Sequence, residues 1–176
     1  MKVIRTIHPV GQGGFYSEIF RDEINNHCIV YDCGSENKQK LKSAISSALP
    51  DNAPIDILFI SHFDSDHVNG IKELRKHHTI KCVVMPQLKQ FEWFYILEDC
   101  VKREKKASDE IIHNLITAIQ DIPIVEVEPS NSERGFEGNE DTHFINLDEN
   151  IGLINSGAKL SNDWLGKIRW IFMPIC

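Results

Sequence analysis

The chain of 176 residues contains no apolar run of the length that crosses a bilayer. A membrane-spanning helix needs about 20 consecutive apolar residues, and the longest runs here, residues 57–60 and 170–176, are far shorter. The first residues, MKVIRT, lack the long apolar core of a secretion signal. These absences predict a protein without a membrane segment and with a cytoplasmic location.

The cysteines show no pattern of bridges or of a structural metal site. There are five, an odd number, and none are arranged as CxxC. Because the cytoplasm keeps thiols reduced, we expect free cysteines. No base is arranged beside any of them in the sequence, so a nucleophilic thiol is not expected.

An excess of positive charge is also missing. Asp and Glu number 26 against 19 Lys and Arg, which gives a net charge of −7. This balance argues against a protein that binds nucleic acid mainly through its charge. It leaves open an enzyme that meets phosphate groups through bound metal ions. The length predicts a single domain over residues 1–176.

Hydrophobic periodicity divides the chain into a strand-rich beginning and a later part in which strands alternate with helices. The predicted strands are 3–7, 15–20, 28–32, 56–60, 81–85, 122–127, 151–155 and 168–173. The predicted helices are one over 41–49, one through Val68, Ile71 and Leu74, and two within 88–121, the second capped by Ser108–Glu110. Residues 129–142 are polar and predict an exposed loop. This order predicts a layered α/β protein with a mixed sheet.

The chemistry is concentrated in residues 61–67, which read SHFDSDH. Four potential metal ligands, His62, Asp64, Asp66 and His67, lie within six residues, after a buried strand and at the start of a helix. In the extended part, side chains two residues apart point the same way, and the helix start then adds the other pair. Such an arrangement can serve two neighbouring metal ions.

A simpler explanation stays open for the individual residues. Ser61, Asp64 and Ser65 are all good helix caps, and single His or Asp side chains are common in solvated loops. The complete HxDxDH run after a buried strand is much more specific, because residue type, spacing and local structure agree.

Three segments together resemble a known family. Val10–Gly13 reads VGQG, residues 31–34 read YDCG, and residues 61–67 read SHFDSDH. The sequence resembles metallo-β-lactamase-fold hydrolases, and within them the hydrolase domain of bacterial competence (DNA-uptake) channel proteins and its stand-alone relatives. The matched part covers about residues 1–85.

The resemblance implies an αββα sandwich with mixed sheets and divalent ions, Zn or Mn, one or two per chain, at the sheet edge. His62 and Asp64 would bind one ion and Asp66 and His67 the other, with Asp66 also orienting the water. Asp32 would support the site, and Gln12 and Gly13 would lie near its mouth. A carboxylate at Asp64 in place of imidazole makes the first site harder and widens the choice of metals toward manganese.

The later ligands of the family are poorly represented. His143 is the best candidate for a further metal ligand, whereas His77, His78 and His113 are expected at the surface. No Gly-Asp segment of the kind that carries the family's bridging aspartate is evident. The chain also ends on an apolar strand, so we expect the C-terminal half of the domain to be incomplete.

These observations predict a metal-dependent hydrolase, first of all a phosphodiesterase or nuclease-like enzyme acting on nucleic acid or nucleotides. A hydrolase of small esters or thioesters is the alternative within the same fold. The alternative to an enzyme is a non-catalytic interaction protein that binds a partner protein, because the later metal ligands of the family are missing from the sequence.

Overall fold

The structure is a computed structural model that describes residues 2–21, 26–50, 52–87 and 106–128, together with four short strands farther along the chain. The strands are β1 (Lys2–Ile7), β2 (Phe15–Arg21), β3 (Asn26–Cys33), β4 (Ile57–Phe59), β5 (Val83–Pro86), β6 (Ile124–Glu128), β7 (Thr142–Phe144), β8 (Leu153–Asn155), β9 (Lys159–Ser161) and β10 (Arg169–Ile171). The helices are α1 (Lys38–Ala48), α2 (Ser65–Val68), α3 (Ile71–His77) and α4 (Lys106–Ile119).

The first three strands form an antiparallel meander, as predicted. Ile7 pairs with Tyr16, and Tyr16 pairs with Tyr31 on the next strand. From β3 onward the pairing becomes parallel through β4, β5, β6 and β8, with α1 and α3 in two of the crossovers. The result is a seven-stranded mixed sheet in the order β1-β2-β3-β4-β5-β6-β8; a second sheet has three strands in the order β10-β9-β7. The predicted α/β class with mixed sheets is confirmed.

One face of the large sheet packs against the helices. Its central row, Val30, Leu58 and Val83, shares a core cluster with residues of α1, α3 and α4. The neighbouring positions along the strands point to the opposite face, and Ile29, Phe59 and Val84 are buried there as well. Because both faces are covered, the central strands are apolar throughout, as the predicted sandwich requires.

The predicted helix through Val68 and Leu74 is two helices, α2 and α3. The helical hydrogen bonding is interrupted because the Gly70 amide donates to the Cys33 carbonyl at the end of β3, at 2.8 Å. Asn69 holds the break in place, since its Oδ1 accepts from the Ser35 amide and its Nδ2 donates to the Ser35 carbonyl. Tertiary bonds to the β3–α1 connection therefore replace the helical ones at this point.

Other predictions need correction. α4 begins at Lys106, so Ser108–Glu110 lie inside it and do not precede it. His78 is buried and not solvated, because its Nδ1 contacts the Ala53 carbonyl at 3.0 Å. The short strands β7 and β9 were not predicted. The predicted helix within residues 88–105 and most of the predicted loop lie outside the described residues.

Asp56 connects three strands at the amino end of the parallel part. It is 1% exposed, and its two oxygens accept from the Cys28 amide at 2.8 Å and from Lys81 Nζ at 2.7 Å. A buried carboxylate is tolerated when its lone pairs are satisfied in this way. None of the helices that the structure describes is long and apolar enough to span a membrane.

Candidate metal site

The candidate site lies where β3 and β4 end. Parallel strands bring their carboxyl ends to one edge of a sheet, which is where α/β proteins place their sites. Asp32 stands at the end of β3, and the segment from Ser61 to Asp64 follows β4. Asp32 has a left-handed backbone, with φ at 53°. This conformation costs most residues about 1–2 kcal/mol, although Asp adopts it more readily than most.

Asp32 accepts three hydrogen bonds from the segment that carries the predicted ligands. Its Oδ1 accepts from the Ser61 amide at 2.8 Å, and its Oδ2 accepts from Ser61 Oγ at 2.7 Å. His67 Nδ1 also contacts Oδ2, at 2.9 Å. A carboxylate that binds one ring nitrogen of a histidine orients the ring and leaves the other nitrogen for a metal ion. Asp32 is therefore bonded to both Ser61 and His67, and its role in supporting a metal site stays a prediction.

The structure places His62 beside two other predicted motif ligands, His67 and Asp64. The His62 and His67 rings have their centroids 4.0 Å apart, and His62 Nε2 lies 3.4 Å from Asp64 Oδ2. Two ligand atoms bound at about 2.1 Å in a tetrahedron are about 3.4 Å apart, so this separation fits a shared ion. Imidazole and carboxylate are donors that Zn and Mn both accept.

The fourth ligand, Asp66, lies beside this group on α2. Its carboxylate makes no hydrogen bond or ion pair with another described residue. Within the described ranges, no group of three or more His, Cys, Asp or Glu side chains is arranged so that it could hold a metal ion. The chemistry of the donors suits a divalent ion between His62 and Asp64, with the His67 ring adjacent.

A role as a helix cap does not explain the position of the Asp64 side chain. This residue occupies the N-cap position of α2, but its side chain makes no capping hydrogen bond. It is exposed and directed toward the imidazole of His62.

The glycine-rich turn packs directly against the metal motif. The Gly14 amide donates to the Asp66 carbonyl at 3.0 Å. A Cβ on Gly13 would lie 2.5 Å from that same carbonyl oxygen, and φ of Gly13 is 138°, where side chains are rarely tolerated. The VGQG turn is therefore a contact surface for the start of α2.

Gln12 makes no hydrogen bond with the described residues of this group, and the His143 side chain lies outside the described residues. Gln12 donates to Glu36 at 3.2 Å and lines an open groove with Gly11 and the start of α1. His143 lies in β7, where its backbone pairs with Leu160; its side chain lies outside the described part. Its place as a ligand stays a prediction.

Ser61 is the site residue that sequence reasoning missed. It was interpreted only as a possible cap, yet its hydroxyl lies 2.7 Å from Asp32 Oδ2 and 2.8 Å from His62 Nδ1. The available signal was its place between a buried strand and the first histidine of the motif.

The three described cysteines are buried and free. Burial raises the pKa of Cys28 and of Cys82 to about 12, and it raises the pKa of Cys33 still further. These three thiols are therefore protonated at neutral pH and are poor nucleophiles.

The chain is similar to a known superfamily over most of its length. Residues 19–148 match the metallo-beta-lactamase superfamily. Because this match covers most of the chain, the protein belongs to that superfamily. No curated protein matches the chain.

Several solved structures of the superfamily are similar over part of the chain. The metallo-β-lactamase SMB-1 bound to 2-mercaptoethanesulfonate is 21% identical over 43% of this chain and 28% of its own, with a TM-score of 0.30. MEM-A1, a subclass B3 metallo-β-lactamase from a soil metagenome library, is 24% identical over 43% of this chain and 28% of its own, with a TM-score of 0.30. The hydrolase AbOPH is 11% identical over 82% of this chain and 44% of its own, with a TM-score of 0.45. The match thus spans less than half of each of these proteins.

Proposed function

We propose that this protein is a metal-dependent hydrolase of the metallo-β-lactamase superfamily. The observation that carries the proposal is the joined group of His62, Asp64 and His67, held by Asp32 at the carboxyl edge of the sheet. Members of the superfamily are mostly metal-dependent hydrolases, which supports the same conclusion.

The residues have distinct roles in this proposal. His62 and Asp64 would hold one divalent ion, and Asp66 and His67 would hold a second, with His143 as a further candidate. Such ions, when bound, lower the pKa of water so that hydroxide is available near neutral pH. The Asp66 carboxylate, which has no other described partner, orients and deprotonates the attacking water. Gln12 and Gly13 lie toward the substrate side of the motif.

The proposed substrate is a phosphodiester in a nucleic acid or nucleotide. The support is the Asp at position 64 in SHFDSDH together with the VGQG turn, which resemble the hydrolase domain of competence channel proteins. A carboxylate ligand makes the site harder and suits Mn as well as Zn. The net charge of −7 favours short substrates, in which few phosphates must approach the surface.

A nuclease assay tests this proposal. Wild type and Asp66→Ala are incubated with single-stranded DNA, RNA and a small phosphodiester in the presence of Mn or Zn. We expect cleavage by wild type and a loss of about 100-fold or more in Asp66→Ala, the usual effect of removing a general base. Asp121→Ala is the matched control, because Asp121 is an exposed carboxylate paired with Arg75.

Other outcomes distinguish the alternatives. Equal cleavage by wild type and Asp66→Ala contradicts the assignment of the site. Turnover of small esters or thioesters alone would identify the small-substrate hydrolase. Metal binding without turnover of any substrate would indicate a non-catalytic interaction protein.

A further inference from the structure

We propose that the outer edge of β1 is a docking site for an extended segment of a partner protein that carries an acidic residue between two apolar ones. β1 is the edge strand of the seven-stranded sheet, and β2 is the strand that pairs with it among those described. The partner segment would add a further strand beside β1, with its carboxylate on Arg5. The inference uses no residue of the candidate metal site and does not rest on the proposed function.

The backbone of β1 offers a regular set of hydrogen-bonding groups to such a strand. The His8 amide donates to the Phe15 carbonyl at 3.0 Å, and the pairing of β1 with β2 continues in the same register along the strand. In an antiparallel pair, opposite residues alternate between hydrogen-bonded and non-hydrogen-bonded positions. The amides and carbonyls of Val3, Arg5 and Ile7 therefore point away from β2, toward the open edge.

The same three residues share one face of β1, and two of them are exposed apolar side chains. Val3 is 38% exposed and Ile7 is 83% exposed, and they are two of the three large apolar side chains that the described residues expose. Natural edge strands are protected by proline, bulges or charge. β1 has no proline and no register shift, so its protection is the positive charge of Lys2 and Arg5. Such a charge favours an acidic strand over a basic one.

The Arg5 side chain is already oriented for a carboxylate. Its Nε donates to Glu18 Oε1 at 2.7 Å, and the Tyr16 hydroxyl donates to the same oxygen at 2.6 Å. Glu18 is buried, whereas the Arg5 side chain is 65% exposed. Among the described residues, none accepts a hydrogen bond from the two terminal Nη atoms of Arg5. Two parallel N–H groups of a guanidinium match the two oxygens of a carboxylate.

A second copy of this chain suits the edge less well than an acidic segment. An antiparallel pairing of two β1 strands centred on Arg5 would place the two Arg5 side chains directly opposite each other, and like charges in that position are destabilising. Other registers would place Arg5 opposite Val3 or Ile7 and supply no carboxylate. A segment with an acidic residue opposite Arg5, and apolar residues two positions away on each side, matches all three outward positions.

NMR titration of the ¹⁵N-labelled protein with short synthetic peptides tests the proposal. The probes have the sequences TVTETVT, TVTQTVT and TVTKTVT, which differ only in the central residue. We expect the glutamate peptide to bind about threefold to tenfold more tightly than the glutamine peptide, the range for an exposed but bidentate ion pair. The lysine peptide should bind most weakly. The amide signals of Val3, Arg5 and Ile7 should shift on binding.

Two variants and a matched control separate the side-chain contribution from the backbone contribution. In Arg5→Gln, the glutamate and glutamine peptides should bind equally. Lys2→Gln removes a charge from the opposite face of the same strand and should keep the preference for glutamate. Ile7→Pro removes an outward N–H without breaking the pairing with β2, a position where edge strands tolerate proline. It should weaken binding of the glutamate and glutamine peptides about fivefold or more.

N-methylated peptides test the backbone contribution if Ile7→Pro does not fold. Methylation of one alternate set of peptide amides should abolish binding, because that set faces β1. Methylation of the other alternate set should leave binding unchanged. Equal effects of the two sets would show that the peptide does not add as a strand and would overturn the proposal.

The remaining outcomes also decide the matter. Failure of the glutamate peptide to bind, equal binding of the three peptides, or an unchanged preference in Arg5→Gln would overturn the proposal. Sedimentation of the wild-type protein tests the other occupant. A dimer that Ile7→Pro dissociates would show that a second copy occupies the edge, and this too would overturn the choice of an acidic partner.

Discussion

The side chain of His8 is enclosed just before the glycine-rich turn. Its Nε2 lies 2.9 Å from Ser17 Oγ, and its ring stacks on Phe15 with centroids 4.1 Å apart. Burial lowers the pKa of His8 below its usual value, because a charged ring would lose hydration there.

This shift predicts a loss of stability on the acidic side. As the pH falls through about 6.5, His8 of the unfolded chain takes up a proton while the folded ring stays neutral. The free energy of unfolding should therefore decrease until the folded ring also becomes protonated. We expect His8→Gln to have a shallower decrease between about pH 7 and 5.5 in urea unfolding. His113→Gln, which removes an exposed imidazole, should follow the wild-type curve; a parallel curve for His8→Gln would contradict the prediction.

Asp32 and Ser61 differ in how well their place beside the metal motif could be predicted from the sequence. Asp32 was predicted as a supporting residue only through the resemblance of residues 31–34 to the family's Asp-x-Gly strand end. Ser61 was not assigned, since a serine before a helix is a common cap and its bonds to Asp32 and His62 bridge distant parts of the chain. The burial of His78 was missed for the same reason, because its partner Ala53 is 25 residues away.

Among the elements, the glycine turn determines how closely α2 approaches β3. A Cβ on Gly13 or Gly34 would lie 2.5 Å from backbone atoms of Asp66, which leaves no space for a side chain. Gly11 also has a positive φ, at 86°, but its nearest neighbour is 4.0 Å away.

The two glycines of the turn therefore form a matched pair for mutation. Gly11→Ala introduces only backbone strain and should cost about 1–2 kcal/mol of stability. Gly13→Ala adds a clash with Asp66 and should cost more, with a weaker affinity for Zn or Mn because α2 must move. Denaturant unfolding and metal titration measure both effects. Equal losses for the two variants would show that the contact with Asp66 is unimportant.

Apart from β7 and β9, the strands and α1 were predictable at this scale because each has a clear apolar period and a turn at its end. The break between α2 and α3 was not, because the periodicity of Val68, Ile71 and Leu74 continues across it. Asn69 and Gly70 form their bonds with Ser35 and Cys33, and such tertiary partners leave no local signal.

At the scale of the whole molecule, a buried ion pair that stabilises the sheet and the candidate metal site lie at opposite ends of the parallel strands. Asp56 and Lys81 form their ion pair at the amino end of the parallel strands, while the metal motif lies at the carboxyl end. The α/β class was predictable from the order of strands and helices, but this division depends on the pairing of distant strands.

Asp56→Asn tests that division. The amide nitrogen would face either Lys81 or the Cys28 amide, so we expect a loss of about 1–3 kcal/mol in the free energy of unfolding. The affinity for Zn or Mn should stay within about twofold of wild type, because such an effect on a ligand needs direct contact with it. A decrease of metal affinity comparable to that of the site variants would contradict the separation.

The central claim is that the SHFDSDH segment holds divalent ions, and calorimetric titration of the metal-free protein with Zn and with Mn tests it most directly. We predict binding of about one or two ions per chain in wild type and at least about tenfold weaker binding in His62→Ala and His67→Ala. His113→Ala should bind as wild type does. Unchanged affinity in the two site variants, or no binding by wild type, would contradict the account.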